Sequence, residues 1–213
     1  MLIAGLLYSS WPLGYWLNPN AAKGLASDLE ALHQPFNWLF IALDILTGLF
    51  VAIACFKLSR IVRANSHPKT RLGLWVGVVG VASFGIITAI DAILPLNCLE
   101  GSPHCIDPLQ NPYYIIHGIF SIGSIAGLTL SIIAIWLLLY LRVNEVRSKA
   151  HMTPAAFLLI WSGFGGLTLY LVFHNRSSTM AQYFFISFCS LWLVVLPYFI
   201  GLVIRLQPAV IEL

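Results

Sequence analysis

The chain has 213 residues, 59% of them hydrophobic and 9% charged, with a mean hydropathy of +0.88. Soluble domains carry roughly 25% charged residues, so this composition excludes a water-soluble globule and points to an all-α, polytopic membrane protein. The net charge of +3 is that of loop Lys and Arg facing anionic headgroups, so membrane lipids are the expected partners and nucleic acid is not.

A crossing of roughly 30 Å takes about 17–25 apolar residues. Six runs qualify: 1–17, 36–57, 72–94, 113–141, 153–174 and 183–205. They predict one transmembrane domain over 1–213, a six-helix bundle. No connection between runs exceeds 18 residues, which leaves no room for an appended nucleotide-binding, protease or nucleic-acid module. The first run is the weakest, because it contains Ser9, Ser10 and Pro12. It lacks the basic start and small-residue cleavage site of a signal peptide, so it is expected to remain as a helix.

The 18–35 connection carries Asp28 and His33 just before the second run. In that run Asn37, Asp44, Thr47 and Gly48 fall on one helical face. Asp44 lies roughly 12 Å deep at 1.5 Å per residue. A charged Asp at mid-bilayer costs about 2.5–3.5 kcal/mol on insertion scales, so it must face protein or water. No Lys or Arg lies at that depth, which leaves a protonated Asp44 or a bound cation. Cys55 here, and Cys189 in the sixth run, read as small buried hydrophobes.

The third run aligns Gly77, Gly80, Thr88 and Asp91, the last just inside its outer end. The fourth aligns His117, Ser121, Ser124 and Ser131; the fifth, Gly163, Gly166, Tyr170 and His174; the sixth, Tyr183, Ser187 and Ser190. Such stripes are also ordinary packing surfaces, and Gly73–Gly77 and Gly123–Gly127 both fit the small-xxx-small pattern. Read for chemistry, they converge on a polar cavity open toward the outer leaflet. Its expected ligand-binding residues are Asp28, His33, Asn37, Asp44, Asp91, His117, Ser121 and His174. His67 and His151 lie on the opposite side and drop out.

Orientation follows from the basic residues. Lys57, Arg60, Arg63, Lys69, Arg71, Arg142, Arg147, Lys149 and Arg205 fall on one side, against Lys23 and Arg176 on the other. Both termini are therefore expected in the cytoplasm, with 18–35, 95–112 and 175–182 outside. In a bacterial cell this is the inner membrane, with the site facing the extracytoplasmic side. Cys98 and Cys105 share the outer 95–112 loop, where an oxidising compartment permits a disulfide. A metal there has only His104 as a nearby third ligand.

The block Ser27-Asp28-Leu29-Glu30-Ala31-Leu32-His33-Gln34-Pro35, followed by Asp44 and Gly48, resembles the bacterial and archaeal membrane family called domain of unknown function 998. A second block continues the resemblance with Asp91, Pro95, Cys98, Cys105 and His117. Together the two blocks lie within roughly residues 10–135. Asn97 departs from the family pattern, in which an acidic residue precedes the first Cys. The resemblance implies a six-helix membrane fold and no established activity, and it adds weight to Asp28, Asp44, Asp91 and His117 acting together.

Three readings of function follow. The first is a protein that binds or handles a lipid or amphiphile, with acidic residues favouring a cationic or hydroxyl-rich group. No inverted repeat is evident and only Pro197 interrupts a late run, which argues against an alternating-access transporter. The second is an intramembrane, hydrolase-like enzyme, metal-dependent or not. Asp44, Asp91 and His117 are its catalytic or metal candidates. No His-Glu-x-x-His, Gly-x-Ser-x-Gly or Cys-x-x-Cys signature occurs, and no cofactor is named by the sequence. The third is a structural subunit, with a membrane-protein partner or a homo-oligomer as its setting.

Overall fold

Serine and proline break the first apolar run. Helix α1 (Leu2–Tyr8) ends where the Ser9 and Ser10 hydroxyls donate to the carbonyls of Leu6 (3.0 Å) and Leu7 (2.6 Å). Pro12 then sits in a 3-10 turn, Trp11–Leu13, before the one-turn helix α2 (Gly14–Leu17). The expected helix over 1–17 is thus corrected to three short pieces: side-chain hydroxyls compete for backbone carbonyls, and Pro12 has no N–H to give.

The computed structural model describes residues 1–23, 26–97, 111–146 and 179–206, and no strand occurs among them. Helices α3 (Asn37–Asn65), α4 (Pro68–Ile93), α5 (Pro112–Val146) and α6 (Thr179–Arg205) follow. Four spans within them, Asn37–Asn65, Pro68–Ile93, Pro112–Leu141 and Phe185–Arg205, are long and apolar enough to cross a membrane. The expected 153–174 helix, His174, Cys98 and Cys105 lie outside the described residues.

The α3–α4 joint shows how the sequence stops one helix and starts another. At Ser66 the backbone turns extended, and the hydroxyl donates to the Val62 carbonyl at 2.5 Å. Pro68 forces His67 into extended backbone and opens α4 at the position where no N–H is needed. His67 Nδ1 accepts from the Lys69 N–H at 3.2 Å, and Arg71 donates to the Ser66 carbonyl at 3.0 Å. Lys57, Arg60, Arg63, Lys69 and Arg71 gather around this end of the bundle.

Close helix approach relies on glycine. A Cβ on Gly127 of α5 would lie 2.7 Å from the Gly80 carbonyl oxygen of α4, and the reverse contact is 2.5 Å. Gly48 of α3 meets the Gly85 backbone of α4 in the same way. Val51, Cys55, Val81, Leu128, Ile132, Trp192 and Leu196 fill the core between these helices. Trp192 Nε1 donates to Ser131 Oγ at 3.1 Å, so this serine serves packing. The outer faces carry exposed Ile53, Phe56, Val79, Ile86 and Leu137, as a lipid-facing surface requires.

The 18–35 connection folds down as a cap. Ala21, Ala22, Ala26 and Leu29 are buried with Trp11, Phe40 and Tyr183, and Trp11 stacks on Phe40 at 5.6 Å. The Leu32 N–H donates to the Leu96 carbonyl at 2.7 Å, and the Ala26 N–H to Gln182 Oε1 at 2.6 Å, tying the cap to the ends of α4 and α6.

Candidate ligand-binding site

Under this cap lies a cavity of about 380 Å³. Every major element contributes to its wall: Tyr8 from α1, Glu30 from the cap, Asp44 from α3, Asp91 from α4, His117 and Ser121 from α5, and Gln182 from α6. None of the described wall residues is Lys or Arg. The early turns of both α5 and α6 face it, so these helices begin at the same end and run parallel.

Asp91 has a close contact at each oxygen, of which only the one at Oδ2 is a hydrogen bond. Its Oδ1 lies 2.8 Å from His117 Nδ1, and its Oδ2 accepts from Ser121 Oγ at 3.0 Å. The helical spacing that places His117 and Ser121 one turn apart on α5 lets both meet the same carboxylate. Ser121 thereby gives its proton to Asp91 rather than to His117, so the pair is not a nucleophile with its base. Ser124 also lines the wall, while its hydroxyl donates to the Ser121 carbonyl at 2.9 Å.

Glu30 and Asp44 are more deeply buried than Asp91. Glu30 is 3% exposed and Asp44 6%, yet Glu30 Oε1 and Asp44 Oδ1 have no hydrogen-bond partner among the described residues. Burial pushes the Glu30 carboxyl well above its usual value of 4.5, and the Asp44 and Asp91 charges push it the same way. A buried acceptor without a donor is costly, so these two oxygens mark where a donor from outside the described residues is wanted.

The expected residues divide. Asp44, Asp91, His117 and Ser121 come together on one cavity. Asp28 is buried in the cap but off the cavity wall. His33 is exposed with left-handed backbone (φ 67°), and Asn37 turns its side chain onto the Trp38 N–H at 2.8 Å; neither reaches the site. Among the described residues no three His, Cys, Asp or Glu side chains cluster as metal ligands would. Asn97 accepts from Asn111 Nδ2 at 2.8 Å, which gives it a bracing role at the ends of α4 and α5.

Tyr8, Trp11, Glu30 and Gln182 were not anticipated as wall residues. For Glu30 a signal existed: Ala21, Ala22, Ala26 and Leu29 recur at helical spacing in the connection, which marks it as packed chain rather than solvated loop.

These features define an integral membrane protein, helical without strands among its described residues, with an acidic cavity beneath an N-terminal cap. Residues 1–198 match the family described as Protein of unknown function (DUF998), and the chain belongs to that family. No curated protein and no solved structure matches it.

Proposed function

We propose that the protein binds the polar head of a lipid or other amphiphile in this cavity, on the extracytoplasmic side of a bacterial inner membrane. The observation that carries the reading is the pair of buried, unpartnered oxygens, Glu30 Oε1 and Asp44 Oδ1, on the wall of a space of about 380 Å³. That volume suits a headgroup-sized ligand. The sidedness rests on the basic residues around the α3–α4 joint, at the end opposite the cavity. The parallel run of α5 and α6 supports a further crossing between them, for which 153–174 is an apolar run of suitable length.

A hydrolase-like reading has one observation in its favour, the Asp91–His117 contact inside the cavity. It lacks a placed nucleophile. The role of subunit in a larger membrane complex draws on the glycine-mediated packing alone.

Native mass spectrometry of the gently purified protein beside Asp44→Asn tests the binding reading. A retained adduct on the wild type that is lost from the variant, with both melting at similar temperature, is expected. A bare chain in both preparations removes the reading.

A further inference from the structure

The cavity wall is unbalanced in a way that selects among headgroups. Three carboxyl groups, Glu30, Asp44 and Asp91, face one His and no Lys or Arg among the described wall residues. Ser121 donates to Asp91 Oδ2, while Asp91 Oδ1 has only the 2.8 Å contact with His117, so the unmet demand falls on Glu30 Oε1, Asp44 Oδ1 and Asp91 Oδ1, the first two on the most buried acids of the wall. A ligand that meets it must bring N–H or O–H donors, and positive charge makes those bonds stronger. A phosphate beside them would face three carboxyl groups and no Lys or Arg on the described wall.

A bare metal ion fits poorly. Its ligands must close to within about 2.6 Å, while this space is about 380 Å³ and no three metal-ligating side chains converge among the described residues. A quaternary ammonium carries no N–H for these oxygens, and of the wall aromatics Tyr8, Trp11, Tyr114 and Phe185, Trp11 already has a face stacked on Phe40.

The cavity also has an apolar side. Gly118, Ile122 and Ile125 of α5 line it at i, i+4 and i+7, one helical face. Ile122 is 70% exposed and Ile125 39% exposed, and a Cβ on Gly118 would meet nothing within 4 Å. Here the wall opens toward the lipid-facing surface rather than toward another helix of the described fold.

We propose that the ligand is a long-chain primary amine without a phosphate, its ammonium between Glu30 and Asp44 and its chain leaving past Gly118 along Ile122 and Ile125. The proposal rests on the binding reading above and narrows it to one headgroup and one route.

Equilibrium binding of labelled hexadecylammonium to the full chain in phosphatidylcholine nanodiscs tests it, with hexadecanol and hexadecyltrimethylammonium as competitors. Saturable binding is expected, with both competitors at least about tenfold weaker, as the loss of one charge-assisted hydrogen bond implies. Glu30→Gln and Asp44→Asn should each weaken the amine by a similar factor. Gly118→Phe should weaken it too, by blocking the route while leaving every acid in place; melting temperatures identify any variant that fails to fold. Hexadecanol binding as well as the amine overturns the ammonium assignment yet keeps amphiphile binding. Full affinity in Gly118→Phe overturns the route. No saturable binding of any of the three probes overturns both this proposal and the binding reading.

Discussion

Glu30 sits in a connection between helices, yet it is as buried as a core residue, under Ala26 and Leu29 and facing Tyr8, Asp44, Asp91 and His117 across the cavity. With its carboxyl held above the usual 4.5, the folded chain keeps a proton that the unfolded chain releases. Stability from this group is therefore full below about pH 4.3 and is lost as pH rises toward the folded-state value. Melting the wild type in detergent from pH 5 to 8 should show a falling temperature, and Glu30→Gln should flatten part of that slope. An identical slope in the variant would show that Glu30 is not the group responsible. Asp44 was legible in the sequence because its depth alone demands an explanation. Glu30 was legible only indirectly, through the spacing of Ala21, Ala22, Ala26 and Leu29, since a carboxylate in a connection normally meets water and only the folded cap takes it away.

Between helices, the fold depends on backbones that touch. Gly127→Ala places a methyl 2.7 Å from the Gly80 carbonyl oxygen and 3.2 Å from the Phe84 nitrogen, both backbone atoms that cannot turn aside. Forcing α4 and α5 apart should cost about 1–3 kcal/mol, as overpacking does. Gly201→Ala on α6 meets nothing within 4 Å, and it should be neutral or raise stability by up to about 1 kcal/mol through helix propensity. Thermal melts of the two variants side by side check this, and equal melting temperatures would remove the argument. The spans of α3 to α6 follow from apolar run length, so most ends were readable to within about five residues, but α3 continues eight residues past the expected 57 through the basic stretch to Asn65. The breaks at Ser9, Ser10 and Pro12 were visible as a weakness, but run length could not show that the hydroxyls would cap Leu6 and Leu7. Glycine spacing likewise announced packing faces without saying that Gly80 would meet Gly127, because the partner of a face is set by the tertiary fold.

At the scale of the whole molecule, the two ends of the bundle differ in chemistry. One end carries the α3–α4 joint with Lys57, Arg60, Arg63, Lys69 and Arg71; the other carries the cap, the cavity and the starts of α5 and α6. Gly73 beside Leu138 places the far part of α5 at the basic end, so α5 leaves the cavity and α6 sets out from it again. Two successive described helices that run the same way fit the proposed crossing between them, for which the sequence has one apolar run, 153–174. With the basic end inside and the proposed crossing over 153–174 between α5 and α6, Leu213 would lie in the cytoplasm and Cys98 and Cys105 in the oxidising exterior. A phosphatase reporter fused after Leu213 should therefore be inactive in cells, while a fluorescent one lights up. Cys98 and Cys105 should resist an impermeant maleimide until reductant is added. A phosphatase-active fusion would turn the molecule over and open the acidic cavity to the cytoplasm. Ready labelling without reductant would leave the orientation intact and remove only the disulfide, so the two readouts fail independently.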